Sequence, residues 1–229
     1  MTLRFQEFPA ALAVSVSAVA AVPRKMRHGI YRRGFKRAFD LCAVLMAALV
    51  VVPLIGGLAL AVACRGGQPF YTQDRVGMGG CRFRMWKLRS MVRDADALME
   101  AHLQADAAAR LEWDTTQKLR NDPRITRLGR FLRRSSLDEL PQLWNVLRGD
   151  MSLVGPRPMM PNQREMYPGT AYYALRPGIT GLWQTAGRNR TTFAARAEFD
   201  AVYEAQVTLT QDLQVLWRTV NVVLNATGY

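Results

Sequence analysis

Between residues 133 and 147 the chain reads RRSSLDELPQLWNVL, and Asp138 and Glu139 stand side by side behind two arginines. Neighbouring acids diverge on a helix, so this pair is no ion-pair ladder. Two readings are open. Ser136-Leu-Asp-Glu139 fits the S-x-x-E capping box, with Asp138 in the first turn where the helix dipole favours an acid. Pro141 lies early enough in such a helix to be tolerated. The other reading is chemical: a carboxylate can hold magnesium or attack phosphorus.

The surrounding cations bear on that choice. Arg120, Arg124, Arg127, Arg130, Arg133 and Arg134 precede the acids. In Gly155-Pro-Arg-Pro158, Pro156 and Pro158 flank Arg157, so a guanidinium is presented at little entropic cost. Lys87 and Arg89 alternate onto one face of a predicted strand. If these elements converge, two carboxylates sit in a cationic pocket suited to a phosphorylated substrate. Taken singly, each basic residue reads as a solvated surface charge.

The elements that must position these residues lie in a chain of 229 residues, 49% apolar, with a formal charge of +13. That charge calls for an anionic partner: nucleic acid, anionic lipid or a phosphorylated small molecule. Three cysteines without metal-type spacing argue against a disulfide framework. His28 and His102 lie far apart, which argues against a histidine zinc site or a His-dependent triad. Residues 1–34 read as a basic, poorly ordered leader. It is Ala/Val-rich, then carries Arg24, Lys25, Arg27, Arg32 and Arg33, and the basic run continues to Arg37.

Residues 41–64 carry no charge over 24 positions, about 36 Å of helix against a hydrocarbon core of about 30 Å. Pro53 interrupts the run near its middle, and both flanks are basic, so both ends favour the cytoplasm. A single kinked span and a segment that enters and leaves by one face are both open at this point. Beyond it, two strands flank the turn at 77–80, an Ala-rich helix covers 92–113, and another covers 136–147. Residues 155–163 form a proline-stiffened loop, and 193–206 look helical. In the last helix Leu213, Leu216, Trp217, Val220, Val223 and Leu224 share a face that reads as core, although Trp217 beside Arg218 suits a bilayer interface.

The stretches FKRAFDL, FYTQDRVG, FRMWKLRSM, RITRLGRFLRRSSLDELPQLWNVLRGDMSLVGPRP and RPGITGLWQTAGR carry a resemblance. From about Phe35 onward the chain resembles bacterial monotopic phosphoglycosyl transferases. These polyprenyl-phosphate sugar-phosphate transferases start exopolysaccharide and O-antigen synthesis. The resemblance implies an α/β protein, mostly helical with a small β-hairpin. Residues 35–65 would form a re-entrant membrane helix broken at Pro53, and residues 66–229 a cytosolic transferase domain with amphipathic interfacial helices. Asp138 would be the nucleophile, Glu139 would assist the metal or the second step, and both would hold Mg2+. Arg133 and Arg157 would bind phosphate, Pro156 and Pro158 would shape the nucleotide pocket, and Lys87 and Arg89 would add substrate contacts.

The implied donor is a UDP-sugar, with galactose or glucose as the hexose, and the acceptor is polyprenyl (undecaprenyl) phosphate. Membrane lipid is a further partner, with the basic run 24–37 against anionic headgroups. A homodimer is the candidate assembly. The location is the bacterial inner membrane, catalytic domain on the cytoplasmic face. No nucleic acid is expected, because aromatics are not interleaved with the basic runs. Residues 203–213, YEAQVTLTQDL, depart from the family pattern and leave that segment without a role. Two alternatives stand beside this one: a non-catalytic basic anchor for anionic lipid or nucleic acid, and an inactive partner of a polysaccharide export assembly.

Overall fold

The computed structural model describes residues 29–116, 119, 121–187 and 192–224. Residues 1–28 of the expected leader therefore lie outside the described residues. Its last part is helical: a π-turn over Tyr31–Phe35 runs directly into helix α1, Lys36–Ala63. Uncharged Leu, Val and Ala dominate α1 after Asp40, and the helix continues through Pro53. Tyr31–Ala63 is long and apolar enough to cross a membrane.

Only the two ends of α1 are buried, at Asp40 and Val44 and at Ala59 and Val62. Between them Leu45, Met46, Leu49, Val50 and Val52 are exposed. Both ends rest on the same body. Val44 packs in one cluster with Met85, Val146 and Met151, and Ala59 and Val62 in another with Leu88 and Leu132.

Strands β1, Phe70–Val76, and β2, Arg82–Leu88, form the expected antiparallel hairpin, with Phe70 opposite Leu88. The single helix expected over 92–113 is two: α2, Ala95–Ala105, and α3, Ala107–Thr116. Asp106 makes the break, its Oδ1 accepting from the amides of Ala108 at 2.9 Å and Ala109 at 3.0 Å as a fresh N-cap. Helix α4, Arg127–Arg134, is capped by Thr126, whose hydroxyl accepts from Gly129 N at 2.8 Å. Gly129 has no room for a Cβ, because the Ser90 carbonyl occupies the place.

The helix expected over 136–147 is instead a 3-10 turn, Leu137–Glu139, followed by helix α5, Gln142–Arg148. Asn145 of α5 bonds the free edge of β2: its amide donates to Arg84 O at 2.7 Å and its Oδ1 accepts from Trp86 N at 3.0 Å. Strand β3, Ser152–Val154, then runs parallel to β4, Gly178–Thr180. At the end of β3 a Cβ on Gly155 would collide with the Arg176 carbonyl, so only glycine lets the two backbones approach.

Helices α6, Arg196–Ala205, and α7, Leu209–Leu224, complete the described chain. The apolar face assigned to α7 as core divides. Leu213, Trp217 and Val220 are exposed, and among the described residues of that face only Leu216 packs against the core. The fully buried Val215 lies outside that face, so the core reading is corrected for the exposed three. The segment that departs from the family pattern anchors the start of the membrane helix. Asp212 accepts from Tyr31 Oη at 2.7 Å, Lys36 Nζ at 2.6 Å and Tyr203 Oη at 2.6 Å. Arg37 donates to the Val146 and Leu147 carbonyls at the end of α5, and Arg32 pairs with Glu204 at 3.1 Å. Arg32, Lys36 and Arg37 thus face the protein and not lipid headgroups, which corrects part of the expected basic cluster. They turn inward because α5 offers Arg37 carbonyls, α6 offers Arg32 the Glu204 carboxylate and α7 offers Lys36 the Asp212 carboxylate.

Candidate active site

Asp138 lies in the 3-10 turn between α4 and α5 and is 7% exposed. The capping-box reading fails here. Ser136 sits in the left-handed region at φ 57°, and its side chain makes no cap hydrogen bond. A non-glycine residue held at positive φ is strained, and such strain clusters at functional sites. The turn aims two adjacent acids differently: Asp138 is buried, and Glu139 reaches Lys87 Nζ at 2.8 Å.

Burial raises the Asp138 carboxyl above the ordinary carboxylate range, Lys87 and Arg133 pull it back down, and Glu139 adds to the rise. The sequence pointed to arginines and a helix dipole keeping this acid ionised; in the fold, desolvation is the larger influence. Arg133 is fixed by a 2.8 Å bond from Nε to Ser90 Oγ, beside the place where Gly129 lets α4 close on Ser90.

Pro156 and Pro158 are both buried, and their carbonyls accept from Gly178 N at 2.8 Å and Arg75 Nη1 at 3.3 Å. Arg157 between them lies over the Trp183 ring at 6.0 Å. Arg196 covers the same ring at 4.1 Å. Arg75 and Arg196 are each lowered to about 10, by burial first and by the positive charge of Arg157 next. Three guanidiniums therefore converge. Glu139 and Asp200 lie near them, but Glu139 is paired with Lys87 and Asp200 accepts from Tyr167 Oη at 2.9 Å. Buried Nε atoms of Arg75 and Arg196, and both amide atoms of buried Gln184, have no hydrogen-bond partner among the described residues. Such groups are costly unless something polar meets them.

The structure thus brings together Asp138, Glu139, Lys87 and Arg133, and sets the Pro156–Pro158 loop beside Arg75. Arg89 faces another cleft, lined also by Arg65 and Arg93, and lies with Arg93 against Gly67. Pro53 lies in the exposed stretch of α1. Arg75, Arg196, Trp183 and Gln184 escaped the sequence reading, since only tertiary folding joins β1, α6 and the turn Trp183–Gly187.

No group of three or more His, Cys, Asp or Glu capable of holding a metal forms among the described residues. Magnesium needs no such cluster. It keeps several waters and binds through one or two carboxylates plus substrate phosphates. Asp138 and Glu139 are the carboxylates that would hold it.

Residues 31–226 match the bacterial sugar transferase family. Over 198 residues the chain is 46% identical to the UDP-galactose-lipid carrier transferase of Erwinia amylovora, and 45% identical to the undecaprenyl-phosphate galactose phosphotransferase of Salmonella typhimurium. Each alignment covers 86% of this chain and 42% of the relative, so the chain spans less than half the length of these two proteins. It is also 42% identical, over 196 residues, to the exopolysaccharide production protein ExoY of Rhizobium meliloti, covering 84% of this chain and 87% of that one.

Proposed function

The chain belongs to the bacterial sugar transferase family, and from that premise we propose that it moves a hexose 1-phosphate from a UDP-sugar to polyprenyl phosphate. The observation that carries this reading is a buried carboxylate, Asp138, beside Lys87, Arg133 and Glu139, with Arg75, whose Nε has no hydrogen-bond partner among the described residues, within electrostatic reach of that Glu139. Relatives named for galactose and glucose transfer support the choice of a hexose.

In the first step an oxygen of Asp138 attacks the sugar-linked phosphorus. The bond from that phosphorus to the bridging oxygen breaks, and UMP leaves with the electron pair. A phosphosugar stays on the carboxylate. An oxygen of polyprenyl phosphate then attacks the same phosphorus and displaces Asp138, giving polyprenyl diphosphate sugar. Two steps suit a soluble donor and a lipid acceptor, which need not be bound together. Arg75, Arg157 and Arg196 hold the diphosphate oxygens, Arg133 orients the reacting phosphate, and Lys87 positions Glu139. The Gln184 amide, without a partner among the described residues, would meet the uracil, and the Trp183 ring would back the guanidinium of Arg196. Magnesium, bound by Asp138, Glu139 and the phosphates, would offset negative charge as one anion attacks another.

The membrane geometry is part of the proposal. A spanning helix would carry one end away from the catalytic body, yet both ends of α1 pack on it. This supports a re-entrant segment that enters and leaves by one face, bending at Pro53 without the expected break, since α1 runs helical through that residue. The active site then lies on the cytoplasmic face of the inner membrane, where UDP-sugars are made. A non-catalytic anchor has no use for a buried acid held between Lys87 and Arg133.

The test is UMP release by detergent-solubilised protein with magnesium, polyprenyl phosphate and a panel of UDP-sugars. Wild type should release UMP with one hexose donor and trap a labelled phosphosugar when the acceptor is left out. Asp138→Asn should lose both by at least a thousandfold, because amide nitrogen and oxygen are poor nucleophiles towards phosphorus. Equal release by the variant would remove Asp138 from this role.

A further inference from the structure

Building on the acceptor named above, we infer that the cleft beneath α1 receives the isoprenoid chain of polyprenyl phosphate. The cleft encloses about 310 Å3. That is the lower end of ligand clefts, roughly 300–1,000 Å3, so it takes only the phosphate-proximal part of a long chain.

One wall is the inner face of α1, where Val44, Ala48, Val51 and Ile55 recur at helical spacing. The facing wall is formed by Phe70 and Trp86 of the hairpin, and by Leu140, Leu143 and Trp144 after the acid pair. Among the described residues no charged side chain lines it. Water in such a space is unfavourable, and an apolar chain is favoured.

Three observations select the occupant. Leu140 and Pro141 follow Glu139 directly, and Trp86 precedes the Lys87 that pairs with Glu139. A hydrocarbon chain lying here therefore carries its phosphate to the carboxylates. The other face of α1 exposes Leu49 and Val50, at 84% and 72%, so the cleft adjoins the surface that meets the bilayer, where the acceptor resides. Finally, none of Arg75, Arg157 and Arg196 lines it, so the donor's cationic pocket and the acceptor's apolar cleft are separate. A bulk phospholipid satisfies the second observation but has no reason to present its headgroup to Asp138.

The experiment is photolabelling of the full chain in phosphatidylcholine/phosphatidylglycerol nanodiscs with a polyprenyl phosphate carrying a diazirine near the phosphate. The label should map to residues 44–55 and 140–147. Ala48→Trp and Val51→Phe, which fill the cleft from α1, should each reduce labelling at least tenfold. Leu49→Trp, with its bulk on the exposed face, should not. Labelling elsewhere, labelling indifferent to both filling variants, or equal competition by excess phosphatidylglycerol would overturn the assignment. Sugar transfer is measured in the same discs. A labelled cleft with no transfer from any UDP-sugar keeps the lipid site and removes the proposed function; transfer with the label elsewhere does the reverse.

Discussion

At Asp138 burial favours the protonated acid, while Lys87 and Arg133 favour the carboxylate that the proposed attack requires. Removing a cation should therefore push the carboxyl further up. In Lys87→Met the acidic limb of the pH profile of kcat/KM for the UDP-sugar should move to higher pH, with the plateau lowered. A limb that stays in place would mean that Lys87 does not act on the titrating group. Some of this arrangement could be read in the sequence. Asp138, Glu139, Arg133 and the Pro156–Pro158 loop lie close together along the chain, and short separations leave a mark in a motif. Arg75 and Arg196 leave none, because an isolated arginine looks alike on a surface and in a phosphate pocket.

Among the elements, α5 is held to the hairpin by one side chain. Asn145, fully buried, bonds the Arg84 carbonyl and the Trp86 amide and so closes the open edge of β2. Asn145→Ala leaves both backbone groups without partners in a dry site, at about 1–3 kcal/mol each. A loss of about 2–5 kcal/mol is expected in denaturant unfolding followed in detergent, with wild-type stability as the outcome that sinks it. The hairpin itself was legible, since alternation and the glycine turn signal it locally. The acid turn was misread because Ser136 and Glu139 have the spacing of a cap, yet Ser136 takes a left-handed backbone and α5 starts only at Gln142. Asp106 did carry a readable signal, an N-cap residue inside an alanine run, that composition masked. Strands β3 and β4, three residues each, are too short for any periodicity to reveal.

For the molecule as a whole, Asp200 couples stability to pH. Burial raises its carboxyl from 3.8 to about 7, against the Tyr167 hydrogen bond and the charge of Arg196. The folded state thus holds a proton that the unfolded chain releases near pH 4. Stability should fall as pH rises from about 4 to about 7, and level off above. Asp200→Asn should flatten that slope in thermal unfolding across the same range, and an unchanged slope would assign it to another group. The helix that meets the membrane has a consequence for how the protein is made. Asp40 bonds Ser152, 112 residues further along the chain, and Val44 and Val62 complete clusters built mostly from later residues. Synthesis delivers α1 to the bilayer long before those partners leave the ribosome. Until then Asp40 has no hydroxyl to accept from, and the hairpin has no helix to close against. On the proposed topology insertion and folding are coupled, with α1 as the template on which the rest of the chain assembles. Cutting it away to obtain a water-soluble domain would uncover Met85, Val146 and Met151 at one end and Leu88 and Leu132 at the other.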